Sequence, residues 1–150
     1  MHKIIIKSKR IIATYLLILF LLSQAFFVNA QDIYVDINGK KDFTSIQNAI
    51  DNSSDKDTII VNKGTYNEKI VINKKVSIVG LNNPFIICPN GSDSAVTINS
   101  ESVKFDGFNL INYGNKAINI LSNFNTISNI SISNASYGIY LFSSENNTIK

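Results

Sequence analysis

The chain predicts an all-β fold: a right-handed parallel β-helix, a solenoid with a short N-terminal capping helix, entered after a signal peptide. The first observation is a repeat. Val96, Ile98, Phe105, Phe108 and Leu110 recur 22 places later as Ile118, Ile120, Ile127, Ile130 and Ile132. Ile118 and Ile120 recur again as Ile139 and Leu141, 21 places on, and Asn125-Thr126-Ile127 returns as Asn147-Thr148-Ile149. A fixed period of about twenty residues is the mark of a solenoid. The second observation is rhythm. Within each period the apolar residues fall two apart in short runs, the spacing of a strand and not of a helix. The third is what separates the runs: Asn, Ser and Gly, with no room for a helix. Consecutive turns must then stack strand on strand, about 4.8 Å apart, with alternate apolar side chains inward. Crossovers between parallel strands are right-handed, which sets the hand of the coil.

Residues 1–30 read as the signal peptide. Lys3, Lys7, Lys9 and Arg10 make a basic start, and Ile11 to Leu22 is an apolar run of twelve residues, short for a membrane span. Val28 and Ala30 put small residues where a signal peptidase reads, so cleavage falls after Ala30 and Gln31 begins the mature chain. An uncleaved anchor is the alternative, since Ala25 to Val28 would extend the run. No cysteine lies near the cleavage point, which excludes a lipoprotein.

Residues 31–56 read as the N-terminal cap. Asp32 to Ile37 alternates like a strand, and Asn38-Gly39 is a turn. Phe43, Ile46, Ala49 and Ile50 lie three and four apart, one face of a helix from about Thr44 to Asn52. Thr44 and Gln47 have capping-box spacing. A helix here covers the apolar end of the first coil.

Residues 57–150 read as the coils, about four at this period. Thr58 to Val61 is a buried strand, Lys63-Gly64 a turn, and Ile70-Val71-Ile72 the next strand. Val76 to Gly80 matches Val103 to Gly107 at an offset of 27, so five extra residues bulge out between Pro84 and Asp93. Ile98, Ile120 and Leu141 should stack, as should Phe105, Ile127 and Ile149, Phe108 with Ile130, and Leu110 with Ile132. Asn73, Asn112, Asn123, Asn125, Asn134 and Asn147 suit corners and can form side-chain ladders. The chain ends one residue past Ile149 with no cap on the last coil, which reads as a segment of a longer protein or an end that docks on something.

Charge and composition exclude several functions. Outside the first thirty residues there are ten lysines and no arginine against eleven acidic residues. A near-neutral body offers no basic patch for nucleic acid. Cys88 is the sole cysteine, so no internal disulfide forms, and its place after Phe85-Ile86-Ile87 suits a small buried residue.

Asp42 to Ile50, Asp57 to Val61, Gly64-Thr65-Tyr66-Asn67-Glu68 and Val76 to Gly80 resemble the entry coils of the pectin-lyase-like superfamily of right-handed parallel β-helices. Tyr137 to Leu141 and Glu145 to Ile149 resemble repeats of its NosD-like branch and of large surface proteins. The likeness spans Gln31 to Lys150 and rests on cap, core and turn positions, so it implies fold more than activity.

Lyases of that superfamily combine calcium-binding carboxylates with a basic residue. Here neither Arg nor His follows Gln31, and Lys104 and Lys116 look like solvated outward positions. Asp93, Glu101, Asp106 and Glu145 do not pair at the spacing that glycoside hydrolysis requires, and Asp106 reads as a turn residue instead of a calcium ligand. Copper, suggested by the branch name, wants His, Cys or Met; Met1 and His2 lie in the leading segment. No catalytic, cofactor or metal residue is assigned. Tyr113, Tyr137, Tyr140 and Phe142 offer rings for a sugar to stack on, or simply cover neighbouring coils. Asn52, Asn90, Asn129, Asn134 and Asn146 head Asn-x-Ser/Thr sequons.

The preferred reading is a non-catalytic segment of a secreted, cell-surface or periplasmic protein. Its partners are polysaccharide or other envelope proteins, and it touches membrane only through the leading segment. The alternative is the N-terminal part of a polysaccharide lyase, glycoside hydrolase or pectin methylesterase whose active coils lie beyond residue 150.

Overall fold

A computed structural model describes residues 11–18, 29–89, 93–111 and 114–150. Residues 11–18 form a short exposed helix, α1. Among the described residues no helix is long and apolar enough to cross a membrane. The basic start, Lys3 to Arg10, lies outside the described residues, as do Asn90, Asn112 and Tyr113.

The rest is a parallel β-solenoid. Successive strands visit three sheets in rotation. Sheet A holds β1 (Asp32–Val35), β2 (Thr58–Val61), β5 (Ser77–Gly80), β8 (Lys104–Asp106), β11 (Thr126–Ser128) and β14 (Thr148–Ile149), in that order. Sheet B holds β3 (Thr65–Tyr66), β6 (Phe85–Ile87), β9 (Asn109–Ile111) and β12 (Ser131–Ser133). Sheet C holds β4 (Ile70–Ile72), β7 (Ser94–Ile98), β10 (Lys116–Ile120) and β13 (Tyr137–Leu141). The steps from β1 to β14 along sheet A make five turns.

The register is the one the repeat predicts. Ile120 lies between Ile98 and Leu141. Ile127 lies between Phe105 and Ile149, and Leu110 lies against Ile132. Phe108 and Ile130 occupy matching corners just ahead of β9 and β12. The 27-residue offset also holds, with Ile78 on Phe105. Inward positions fill one continuous core in which Ile59, Ile72, Ile78, Ile98 and Ile120 are fully buried. Phe105 and Phe108 stack with ring centroids 4.5 Å apart and planes 4° from parallel. Tyr66 is buried too, its hydroxyl donating to the Asn62 carbonyl at 2.9 Å.

Three details depart from expectation. The helix α2 (Ile46–Asn52) starts later than Thr44: its N-cap is Ser45, whose hydroxyl accepts from Asn48 N at 3.2 Å. Phe43 is not on the helix face but in a β-bridge with Val35. The stretch after Pro84 does not all bulge, because Pro84 is buried and Phe85–Ile87 is β6, paired with β3 and β9. Three of the five extra residues therefore fall between Gly80 and Phe85, and two between Ile87 and Ser94. Cys88 is buried, as expected, with Sγ 3.6 Å from the Ser94 carbonyl.

Asparagines tie coil to coil at the expected corners, but by bonds to backbone N–H groups and not side chain to side chain. Asn125 Oδ1 accepts from Val103 N at 2.9 Å, and Asn147 Oδ1 accepts from Asn125 N at 2.8 Å. Each side chain thus satisfies the N–H one coil below it, a donor that the strand ladder leaves unpaired at a corner.

Candidate functional site

Among the described residues, two outward surfaces gather polar or aromatic groups from several coils. The first is the outer face of sheet C. Thr97, Asn119 and Tyr140 stack on consecutive rungs. They point outward because the flanking residues Val96, Ile98, Ile118 and Ile120 point in, the alternation of a pleated strand. Tyr140 meets Tyr137 edge to face, with centroids 5.8 Å apart. Lys116 lies one rung below Tyr137 and holds its ammonium 4.9 Å from the Tyr140 ring centre. The same ammonium is 3.0 Å from Asp93 Oδ2. Lys116 is thus not the solvated lysine expected from the sequence; its side chain is only 18% exposed. Its hydrogen bond, with a second from the Asn115 amide, holds the Asp93 carboxyl below its usual pKa, with burial opposing. The result is a ledge of two tyrosines backed by a fixed cation and carboxylate, flanked by the exposed Phe142.

The second surface is an open groove of about 570 Å³ along the corner between sheets A and B, lined by Gly80, Asn83, Asp106, Gly107, Asn129 and Lys150 among others. Asp106 accepts from Ser128 Oγ at 2.6 Å and from Asn129 Nδ2 at 2.8 Å. The Ser128 bond is the main reason its pKa lies below the usual value, with burial opposing. Asp106 is therefore a corner tie between coils, in line with the turn residue expected. Lys104 is half-exposed, 4.0 Å from Asp106.

The remaining acids do not converge. Glu101 pairs with Lys75 one coil away, and Glu145 donates its backbone N–H to Asn123 Oδ1 at 2.7 Å. Among the described residues no three of His, Cys, Asp and Glu gather. What the sequence reading missed is Glu68. It reaches the start of α2, where its carboxylate accepts from Ile46 N at 2.9 Å, Gln47 N at 3.0 Å and Ser45 Oγ at 2.8 Å. The Gly-x-Tyr-x-Glu spacing was the only signal for it.

No family model matches the chain, and no solved structure does. The chain is similar to a cell surface glycoprotein of Methanothermus fervidus, 33% identical over 98 residues. The match takes in 64% of this chain but only 16% of that protein, so the chain spans a small part of its relative's length.

Proposed function

We propose that this chain is an exported, non-catalytic β-helix segment of a surface protein, pectin-lyase-like in architecture with NosD-like repeats. It presents the outer face of sheet C to envelope polysaccharide. The observation that carries the reading is the similarity to a cell surface glycoprotein, set on a fold whose repeated residues are core and corner positions. Polysaccharide is favoured over protein by the tyrosine ledge, where Tyr137 is 54% exposed and Lys116 and Asp93 offer charged partners to hydroxyls. Residues 1–30 serve export.

The test has two parts. Protease added to intact producing cells should degrade the chain while cytoplasmic markers survive; a protected chain overturns the surface reading. In sedimentation with cell-wall polysaccharide, Tyr137→Ala and Tyr140→Ala should each weaken binding roughly fivefold, about 1 kcal/mol per lost ring. Binding unchanged in both variants removes the ledge from the function, and capture of a protein alone reassigns the partner. Release of unsaturated product from polygalacturonate, with or without calcium, would favour the enzyme reading instead.

A glycoprotein relative also suggests glycans here. Asn134 and Asn146 head exposed sequons at left-handed corners, with φ of 58° and 56°. The amide of Asn129 is tied to Asp106 and that of Asn52 to the Asn48 carbonyl. Glycans should therefore appear on Asn134 and Asn146 first, a point that peptide mass spectrometry of the surface protein decides.

A further inference from the structure

Asp57 is the one acidic residue among those described that is almost wholly buried, at 4% exposure. Such a carboxylate needs a charge partner or a full set of donors. It has two backbone donors: Ser54 N at 2.7 Å from Oδ2, and Gln31 N at 2.9 Å from Oδ1. Among the described residues no lysine forms an ion pair with it. The neighbouring charged groups are turned to other work. Asp55 accepts from Lys75 N, Lys75 pairs with Glu101, and Lys56 is exposed. Gln31 is held on its other side as well, its carbonyl accepting from Thr58 N at 2.8 Å. The hydrogen-bonded fold thus takes hold at Gln31, one residue past the expected cut.

We infer that Asp57 is a receptor for a new chain terminus: the Ala30–Gln31 bond is hydrolysed, and the ammonium left on Gln31 becomes the buried carboxylate's counter-ion. The inference rests on the exported reading. In the step, water adds across the peptide and the C–N bond breaks; the water oxygen stays on Ala30 as part of its carboxylate, and the Gln31 N–H takes both water protons and leaves as an ammonium. The nitrogen already sits at hydrogen-bond distance from Oδ1, so the cut turns a neutral amide donor into a charge-assisted one without moving the backbone. Gln31 itself is exposed, so the ammonium keeps part of its hydration and the pair avoids most of the desolvation cost of a buried ion pair.

The processed protein recovered from producing cells supplies the test. N-terminal sequencing and intact mass should show a chain that starts at Gln31 with a free amine. A chain exported but uncut, cut elsewhere, or closed to pyroglutamate overturns the inference and leaves the surface reading standing; a chain never exported overturns both. The pair also has a titration signature. An α-amino group titrates near pH 8 when free, and a carboxylate partner raises that value in the folded state. The stability it adds is therefore full below about pH 8 and lost as pH rises through the folded value. The melting temperature of the processed chain should fall by about 2–4 °C between pH 7 and pH 10 beyond any fall seen in Asp57→Asn. The cleavage-blocked precursor Ala30→Leu keeps Asp57 and should lack this alkaline limb as well. Equal alkaline limbs in the processed chain and the blocked precursor overturn the pairing.

Discussion

Asn125 does in one residue what a loop would otherwise need several to do. It is 1% exposed, accepts from Val103 N, and donates through Nδ2 to the Ser122 carbonyl at 3.1 Å. Truncation to alanine leaves the buried Val103 N–H unpaired, while the Ser122 carbonyl keeps Asn147 Nδ2 at 3.0 Å, a loss of about 1–3 kcal/mol. Asn125→Ala should lower the urea midpoint accordingly, while Asn123→Ala, at a more exposed corner, should cost less; equal losses would remove the buried tie from the account. Gly80 and Gly107 show the opposite constraint. A Cβ on Gly80 would lie 2.3 Å from the Gly107 carbonyl oxygen, and Gly107 itself has φ of 83°. Gly80→Ala should therefore destabilise by about 1–3 kcal/mol, measured by equilibrium denaturation. The asparagine corners were legible in composition. That Asn125 reaches down exactly one coil was legible only as an offset of 22 residues, because nothing local says which neighbour a side chain will bond.

At the scale of elements, α2 is seven residues long, too short to hold itself in water. It forms because Ile46, Ala49 and Ile50 are buried and because distant residues complete its ends. Glu68 binds its first N–H groups. Gln47 acts as a missing rung of sheet C: its Oε1 accepts from Val71 N at 2.7 Å, and its Nε2 donates to the Val71 carbonyl at 3.2 Å. The edge strand β4 is thus covered by a helix side chain that mimics a backbone amide, which blocks strand addition there. Glu68→Ala should cost about 2 kcal/mol, the usual worth of bonds to a charged acceptor. Limited proteolysis should then cut first near α2; cutting elsewhere first would show that the helix does not depend on Glu68. The capping role of the helix was legible from its position ahead of the first coil. The capping pair was not: Thr44 and Gln47 have the right spacing, yet Ser45 and Glu68 do the work, since a carboxylate 22 residues away leaves no local pattern.

For the molecule as a whole, stability should follow acid pH in one direction. Asp36, Asp93 and Asp106 all have folded pKa values below the usual carboxylate value, held there chiefly by the Asn38 backbone N–H, by Lys116 and by the Ser128 hydroxyl respectively. A depressed folded value adds stability that is complete above the unfolded value and lost as pH falls through the folded one. The chain should hold its stability down to about pH 4 and lose it below. Asp106→Asn should have a shallower acid limb in a pH series of thermal melts; an identical limb would mean that the Ser128 tie does not act through charge.

The sequence alone determined the solenoid, its register and its inward residues, because a repeat of 21 or 22 residues places like side chains on successive rungs whatever else the chain does. It also marked a basic-then-apolar stretch in residues 1–30 and a near-neutral body after it. Only the tertiary structure decided which polar groups meet: Lys116 with Asp93 and Tyr140, Glu68 with the start of α2, Asp57 with Gln31. Those contacts join residues 20 or more places apart at corners and caps, where the strand period lapses and the path of the backbone in space decides which side chains come within reach.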